Sequence, residues 1–530
     1  MINNKSILLI CKEKSSFPMF FLGKELEKNN NVNYFFTHNT EVLNKTKFNQ
    51  GTFFYFKKNI KNEKIHDVRD ISIEFLKNHK NIQINSNRLN EIEKKYTYFT
   101  CLNKQILSSQ ALSTAYHYRF EHTPTTYNEN LYWLTLNYNK IEDIFKKVKP
   151  DYIFDIDTGE IQRTIINEVA HYNKIPYVTI DHSRYKDFFL PSFTLGRHID
   201  KYFVNTYEKN LKNSETNNYL SLIEKYKLQS SIMPEIYRGE SASVYNFSFF
   251  SAMKFILRKT YKGFRTILYS RLNEYKIPFN TPLYPKTLKK ILFFYFYAIR
   301  KFYLYSRFNK YFTIPKNEKY VYLPLHKIPE SSTFVKAPMY INELNLIEAI
   351  SKSLPISWKL YVKEHQSMIG ERKIEFYKKI KKFHNVKIVQ SNYYKDPKPW
   401  IEKSLCVVTI TGTTGFEATM LNKPVIVFGN VFYGTIKGVK FASGFEELEN
   451  IFKEIELDSE LIDNSYHCAA YLKTIHETGT KFNLKDLTNL SEKKMLLKLD
   501  KIEEKQFLEL LNNFKFFYEK AINIYNNEKK

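Results

Sequence analysis

The chain contains little cysteine and little glycine. Its 530 residues include only four cysteines, far apart and without a Cys-x-x-Cys pair, and 14 glycines. Scattered cysteines of this kind argue against the common zinc motifs and are typical of reduced, buried thiols. We therefore expect a cytoplasmic protein with no metal site.

Long apolar runs and acidic residues are also scarce. No uninterrupted apolar segment reaches the ~20 residues needed to cross a bilayer, and the first apolar run, 7–11, is too short for the core of a signal peptide. The 81 Lys and Arg outnumber the 55 Asp and Glu, which gives a net charge of +26. A surface this basic attracts nucleic acid, anionic lipid or acidic small molecules, and charge alone does not choose among them.

The first 235 residues alternate between strand-like and helix-like segments. Apolar residues have helical spacing in 17–28 and in 161–172. Short apolar runs predict four strands, at 6–11, 52–56, 152–156 and 177–180. A strand, a helix and a strand within about thirty residues form a βαβ unit, so the pattern predicts an α/β domain with a parallel sheet over 1–235.

A second β–α alternation begins near residue 316. Strand-like runs recur in YVYLPL, WKLYVKEH, VKIVQ, CVVTI and PVIVFG, with helical spacing between them. This predicts a second α/β domain over 316–455. The remainder, 456–530, is charged, has helical spacing and shows no strand signal.

Between the two domains, residues 236–315 interleave aromatic with basic residues, as in ILRKTYKGFRTILYSRL. One interpretation is a pair of amphipathic helices whose aromatic faces pack on the protein. Another is that the helices lie on anionic lipid, with basic side chains at the headgroups. Single-stranded nucleic acid also binds aromatics and cations together, but no RNA-binding motif is present, so no nucleic-acid partner is predicted.

The stretch TITGTTGFEATMLNKPVIVFGN, 409–430, holds three of the glycines. We expect a buried strand, a loop TGTTG and a helix that begins at Phe416. Small residues allow backbone N–H groups to approach an anion, and Thr411, Thr413 and Thr414 add hydroxyl donors, which favours phosphate binding. The alternative is structural, because Thr414 and Glu417 have the spacing of a capping box. The stretch contains neither a P-loop nor a dinucleotide fingerprint.

This stretch, together with PLHKIPESST (324–333) and LYVKEHQ (360–366), resembles the capsule polysaccharide synthesis family, which includes bacterial Kdo transferases of the GT-B fold. The resemblance implies two Rossmann-like domains facing a cleft. It also implies one crevice at the strand ends of the second domain that binds a nucleotide sugar and needs no cofactor. Its residues would be His326, Glu330, Lys363, His365, Thr411, Gly412, Thr413, Thr414 and Glu417.

Within that crevice, Lys363 and a histidine fit phosphate, and Glu417 or Glu330 fits ribose hydroxyls. Simpler interpretations remain: His326 as a satisfied loop histidine, and Lys363 paired with Glu364 on the surface. Family members often have His-Pro after the second strand, whereas here Gln366 follows His365.

The sequence FDIDTGE predicts reactive carboxylates in the first domain. It places Asp155, Asp157 and Glu160 at the end of a strand, with the two aspartates on one face if the strand continues. Such a carboxylate deprotonates an acceptor hydroxyl or attacks the anomeric carbon. Two alternatives are a helix cap at Asp157 or Thr158 and a metal-binding D-x-D motif.

The next strand ends in Asp181-His182-Ser183-Arg184. We expect His182 and Arg184 to face the same cleft, where Arg184 would bind the carboxylate of an acidic sugar. The pattern as a whole predicts a glycosyltransferase that transfers Kdo or a related sugar from a CMP-sugar to a surface polysaccharide or glycolipid acceptor. We place it in the cytoplasm, with peripheral contact to the anionic inner face of the membrane. The alternatives are a nucleotide-sugar 2-epimerase and a non-enzymatic membrane-associated glycan-assembly protein.

Overall fold

A computed structural model describes residues 2–38, 52–109, 112, 125–159, 161–232, 247–269, 287–394, 396–457 and 463–528. The strands form two sheets, one from each half of the chain. In chain order they are β1 Ser6–Lys12, β2 Asn31–His38, β3 Ile65–Asp67, β4 Tyr152–Phe154, β5 Tyr177–His182, β6 Phe188–Ser192, β7 Tyr320–Pro324, β8 Lys359–Lys363, β9 Val386–Val389, β10 Cys406–Thr409, β11 Val425–Val427, β12 Val439–Phe441 and β13 Thr480–Lys481.

Helices cover and connect the sheets. In the first half they are α1 Ser16–Leu26, α2 Thr52–Asn59, α3 Arg69–Asn78, α4 Ser86–Tyr96, α5 Leu102–Leu107, α6 Tyr127–Val148, α7 Ile161–Tyr172, α8 Lys201–Leu211 and α9 Leu220–Leu228. The later helices are α10 Phe249–Tyr269, α11 Thr287–Ser306, α12 Phe308–Tyr311, α13 Ser331–Lys336, α14 Glu343–Ser353, α15 Ile374–Ile380, α16 Lys398–Glu402, α17 Thr413–Met420, α18 Leu448–Leu457, α19 Ser465–Thr478, α20 Leu484–Leu496 and α21 Lys501–Glu528.

The second sheet is parallel throughout, in the order β12-β11-β10-β7-β8-β9. The first has the order β13-β6-β5-β4-β1-β2-β3. Near one edge, β6 runs antiparallel to both of its neighbours, β5 and β13. In each sheet the strand order reverses next to the first strand, between β1 and β4 and between β7 and β10. Such switch points are where open α/β sheets bind ligands. The predicted α/β class with two Rossmann-like domains is confirmed.

One local prediction for the first domain is wrong, and one strand was missed. Residues 52–56, expected as a strand, belong to helix α2, and the strand β2 was not predicted. The aromatic residues of α2 are spaced by one helical turn: Phe53 and Phe56 both contact Phe36 of β2, at ring distances of 5.2 and 4.8 Å. Their burial decides the conformation, because an aromatic pair three residues apart lies on one side of a helix.

The C-terminal segment returns to the first domain. The expectation of no strand there is wrong, since β13 pairs with β6 and extends the first sheet. Helix α21 adds Phe507, Phe514 and Phe517 to the core around β1 and β4, and the hydroxyl of Tyr518 donates a hydrogen bond to the carbonyl of Asp155 at 2.7 Å. The two ends of the chain therefore share one hydrophobic core.

Helices α10 and α11, which lie between the two domains in the sequence, pack against each other as a hairpin. Its base is attached to the second domain: Arg300 Nε donates to the carbonyl of Gly370 at 2.9 Å, and Leu304 is buried in that domain's core. Among the helices that the structure describes, none combines the length and the apolar character that crossing a membrane requires.

Candidate functional site

The threonine loop, residues 409–414, follows the fully buried strand β10. Helix α17 begins at Thr413, earlier than expected, and Gly412 occupies the N-cap position. The capping box of Thr414 and Glu417 is therefore not formed, because Thr414 already lies inside the helix. Thr413 and Thr414 are half-buried, and within the described chain neither hydroxyl has a hydrogen-bond partner. Two hydroxyls and the N-terminal N–H groups of α17 thus remain available to an anion.

The glycines of this stretch have a packing reason. A Cβ at Gly412 would come within 2.6 Å of Thr409 Oγ1, and one at Gly415 within 2.6 Å of the Tyr433 hydroxyl. That hydroxyl donates to the carbonyl of Gly412 at 2.6 Å. Glycine is thus required by the close approach of neighbouring side chains at these positions, whether or not an anion binds.

His326 joins the two sides of the switch point. It follows β7, and its Nε2 lies 3.3 Å from Thr409 Oγ1 and 3.5 Å from the backbone nitrogen of Thr411. Its own backbone N–H donates to Glu343 Oε1 at 2.6 Å. With the ring 8 % exposed, His326 fixes the threonine loop through Nε2. Its buried Nδ1 lies 3.6 Å from Glu343 Oε1 and has no hydrogen-bond partner among the described residues.

A buried ion-pair network supports the same loops and was not predicted. Arg372 Nε donates to Glu364 Oε1 at 3.1 Å, its other end pairs with Glu343, and Tyr377 donates to Glu364 Oε2 at 2.8 Å. A surface pair of Lys363 with Glu364 is therefore excluded, because Glu364 is buried and bound to Arg372. The sequence holds no signal for this network, since its members come from separate loops and helices.

Lys363 and Glu417 lie close to each other at the carboxyl end of the second sheet. Burial lowers the pKa of Lys363 to about 8, against the opposing effect of Glu417. Burial, reinforced by Asp396, raises the pKa of Glu417 to about 8. In the described residues neither side chain forms an ion pair or a side-chain hydrogen bond. Near neutral pH the lysine is thus largely charged and the glutamate largely protonated, with both polar groups available to a ligand.

His365 and Glu330 have different surroundings. His365 Nδ1 accepts a hydrogen bond from the backbone N–H of Ser367 at 3.3 Å. Burial and the neighbouring His326 and Arg372 lower the pKa of His365 to about 4. A neutral His365 therefore carries its proton on Nε2 and is a donor without charge. Glu330 is exposed at the N-cap of α13, where its side chain caps nothing.

The two aspartates of the first domain, Asp155 and Asp157, have different surroundings. Asp155 is fully buried, and its carboxylate receives Arg163 Nη2 at 2.9 Å together with the hydroxyl of Tyr177. Asp157 lies beyond the end of β4, with its side chain 39 % exposed, and its Oδ2 is 3.5 Å from Lys12 Nζ. The two aspartates therefore do not form an open D-x-D pair.

Two charges determine the protonation of Asp157. Burial raises its pKa, but Arg163 and then Lys12 outweigh burial and hold the pKa below the ordinary value. Asp157 is therefore ionised at neutral pH and suits a nucleophile or a stabiliser of positive charge better than a general base. Its Oδ1 accepts from the N–H of Thr158 at 2.7 Å. Glu160 lies outside the described residues.

The two domains touch at the threonine loop. Arg184 Nη2 lies 3.5 Å from the carbonyl of Thr411, and Lys336 of α13 pairs with Asp181 at the end of β5. Arg184 has a left-handed backbone, with φ of 67°, and is half-buried, whereas His182 is exposed against the ring of Phe189 at 4.7 Å. The structure thus brings Arg184 to the threonine loop across the domain boundary.

A cavity of about 200 Å³ lies beside this contact, between α5 and α7 on one side and α13 on the other. Cations on both domains line it: Lys104, Arg197 and Lys336. No residue of the threonine loop, nor Lys363 or Glu417, lines this cavity. It is therefore separate from the predicted donor crevice, and no motif of the sequence pointed to it.

Comparison with known proteins gives one family and several distant structures. Residues 265–454 match the sequence model of the family described as "Capsule polysaccharide biosynthesis protein". No curated protein matches the chain in sequence. The Thermosulfurimonas dismutans KpsC beta Kdo 2,7 transferase is 14 % identical, with 63 % of this chain and 80 % of that chain covered and a TM-score of 0.29.

Two further structures cover more of the chain. One is S. aureus MnaA in a co-structure with UDP, at 14 % identity, 90 % and 100 % coverage and a TM-score of 0.26. The other is the Methanocaldococcus jannaschii UDP-GlcNAc 2-epimerase in complex with UDP-GlcNAc and UDP, at 13 % identity, 89 % and 99 % coverage and a TM-score of 0.28. Likenesses this distant identify neither a substrate nor an activity for this chain. The match over residues 265–454 shows that this part of the chain is similar to the capsule polysaccharide biosynthesis protein family, the family that its motifs resemble.

Proposed function

We propose that this chain is a glycosyltransferase that transfers a sugar from a nucleotide-sugar donor to a surface polysaccharide or glycolipid acceptor. The single observation that carries the proposal is the position of the threonine loop. The loop lies at the switch point of the second sheet and next to an arginine of the first domain. It has two hydroxyls at a helix N-terminus that no described residue hydrogen-bonds. This arrangement suits an anionic leaving group between two domains.

The donor would lie along the carboxyl edge of the second sheet. Thr413, Thr414 and the N–H groups of α17 would bind the phosphate, and Lys363 would add a positive charge. Protonated Glu417 would hydrogen-bond ribose hydroxyls. We propose a CMP-activated acidic sugar such as Kdo, because Arg184 next to the loop is suited to bind the sugar carboxylate in bidentate fashion.

The chemistry needs charge stabilisation at the anomeric carbon. The acceptor hydroxyl forms the new bond to that carbon while the bond to the donor phosphate breaks. The nucleotide leaves with the electron pair, and its phosphate takes up the proton that the acceptor hydroxyl loses. Ionised Asp157 would stabilise the positive charge that develops on the sugar or form a covalent intermediate. The acceptor is proposed to be lipid-linked, which would place the enzyme at the inner face of the membrane.

The proposal is tested by binding and product analysis. Purified protein is screened by thermal shift with CMP, UDP, GDP and CDP, because a bound nucleotide stabilises the folded state. CMP-Kdo and UDP-sugars are then incubated with the protein and a soluble acceptor analogue, and the products are identified by NMR. Transfer supports the proposal. Epimerisation of a UDP-sugar without an acceptor would replace it with the 2-epimerase, and no binding or turnover of any donor would refute both.

A pair of variants on one strand locates the donor. Lys363 ends β8 and Lys359 begins it, and both are half-buried. Lys363→Met is expected to weaken donor binding at least about tenfold, since a charge-assisted hydrogen bond contributes about 1.5–3 kcal/mol. Lys359→Met, at the opposite end of the strand, is expected to leave binding unchanged. Equal effects of both variants would place the donor elsewhere.

A further inference from the structure

The hairpin of α10 and α11 has an apolar face that no described part of the chain covers. Its side chains are 44–82 % exposed. They are spaced three or four residues apart and so form one stripe on each helix. This hairpin face consists of Phe250, Met253, Leu257, Tyr261 and Phe264 on α10 and Leu292, Phe296 and Ile299 on α11.

The contact between the two helices uses other residues. Thr260 and Tyr295 share a hydrogen bond between their hydroxyls at 2.7 Å, and the ring of Phe255 lies 5.2 Å from that of Tyr297. The residues of the hairpin face are therefore not needed to pack the two helices against each other. Because Arg300 and Leu304 attach the base of α11 to the second domain, the face has a fixed orientation with respect to that domain.

The charge around the hairpin face is of one sign. Neither α10 nor α11 contains an acidic residue. Lys254 and Arg258 are exposed, each directly after a residue of the apolar stripe. Lys259, on the side towards α11, lies over the ring of Phe294 at 3.9 Å. An apolar stripe flanked by cations matches the two layers of an anionic bilayer surface, acyl chains beneath phosphates.

A second copy of the chain would fit this face less well. Two copies that met through the hairpin face would bring their Lys254 and Arg258 side chains together, and like charges at an interface oppose association. An anionic lipid surface meets both the apolar stripe and the adjacent cations.

We propose that the hairpin face docks on an anionic lipid bilayer, with its aromatic and aliphatic side chains at the interface and Lys254 and Arg258 against lipid phosphates. The inference rests on the proposed function for its purpose, the delivery of a lipid-linked acceptor. The lipid contact itself requires no sugar transfer. Docking through the second domain would present the domain boundary to the membrane surface at a constant orientation.

The test uses the full chain and co-sedimentation with vesicles of phosphatidylcholine alone or of an equimolar mixture with phosphatidylglycerol. Wild-type protein is expected to bind the mixed vesicles and to dissociate as salt is raised. The variant F250S/L257S/F264S is expected to lose at least about tenfold in binding, and K254E/R258E to lose binding to the mixed vesicles selectively. The control I356S/L457S/I502S removes three apolar residues elsewhere, each more than 80 % exposed, and is expected to bind like wild type.

Three outcomes would overturn the inference: no binding of wild type to either vesicle, equal binding of the apolar variant and the control, or a dimer that the apolar variant converts to monomer without a change in vesicle binding. Circular dichroism melting verifies that each variant is folded. The thermal shift of each variant with soluble nucleotide separates this inference from the proposed function. Lost vesicle binding with an unchanged nucleotide shift implicates the hairpin face alone, whereas a lost nucleotide shift with retained vesicle binding concerns the donor site.

Discussion

The two switch points of this molecule have the same topology and differ in which of their charged groups are paired. In the first sheet, Lys12 at the end of β1 faces Asp157 after β4, and Arg163 neutralises buried Asp155. In the second sheet, neutral hydrogen bonds link His326 after β7 to the threonine loop after β10, while Lys363 and Glu417 remain unpaired among the described residues. The first switch point satisfies its charges internally, and the second keeps polar groups available. We therefore propose that ligand binding lies mainly in the second domain, with Asp157 as the accessible charge of the first.

The largest effect is expected from Asp155→Asn, which tests whether the first switch point is structural. The substitution leaves Arg163 buried without its carboxylate, and breaking a buried pair from one side costs about 3–5 kcal/mol. Urea unfolding should show this loss. Asp151→Asn is the control, because Asp151 lies at the opposite end of β4 in an exposed pair with Lys5. A loss below about 1 kcal/mol for Asp155→Asn would contradict the role of the pair.

Asp157→Asn tests whether the first domain contributes a carboxylate to the reaction. We expect turnover to fall about a thousandfold, as for loss of a catalytic carboxylate, while the nucleotide thermal shift is retained. Steady-state transfer assays measure the first quantity and thermal shift the second. If turnover is unchanged and nucleotide binding is lost, the assignment of the two domains is reversed.

Glu417→Gln tests, by the pH dependence of stability, whether the second switch point holds a protonated carboxyl. The pKa of Glu417 is raised to about 8 in the folded protein, so the folded state holds the proton more tightly than the unfolded chain. The associated stability is fully present below the ordinary pKa of about 4.5 and is lost as pH rises towards 8. The glutamine variant should therefore gain about 3 kcal/mol relative to wild type between pH 5 and pH 8, since one pKa unit corresponds to about 1.4 kcal/mol.

Urea unfolding of ligand-free protein at several pH values measures this gain. Glu330→Gln is the control, because Glu330 is exposed and is expected to show a difference that does not vary with pH. A pH-independent difference for Glu417→Gln as well would mean that the second switch point does not hold a protonated carboxyl.

The smallest effect is expected from Thr413→Ala. Loss of one hydroxyl that donates to phosphate should weaken donor binding about fivefold, the equivalent of about 1 kcal/mol. Thr488→Ala on α20, a half-buried helical threonine of the first domain, should leave nucleotide titrations unchanged. If Thr413→Ala also leaves them unchanged, the threonine loop does not bind the donor.

Local patterns predicted much of this fold. Helix α7 has the predicted bounds, and five of the six strands of the second sheet lie within the predicted runs, because apolar periodicity and flanking polar residues act over short distances. The edge strand β12 was not predicted. Residues 52–56 were misassigned because aromatic residues favour strands locally, while contacts with β2 impose a helix. The burial of Asp155 depends on Arg163, eight residues away, and on Tyr518 of the last helix.

The sequence predicted which residues come together at the candidate site better than it predicted what each of them contacts. The threonine motif and His326 pointed to strand ends that the structure brings together. The sequence held no sign that His326 would fix the loop or that Arg372 would bind Glu364. Those partners are decided by which loops the topology brings together. Spacing along the chain does not encode such long-range pairings.

The return of the C-terminal segment has a consequence for synthesis. The first sheet receives its edge strand from residues 480–481, and its core receives rings from α21. On the ribosome, the amino-terminal half therefore emerges long before its last structural elements exist, whereas the sheet of the second domain can assemble once residue 441 has left the exit tunnel. The order of translation and the order of completion are thus inverted: the half that is made first is the half that is finished last.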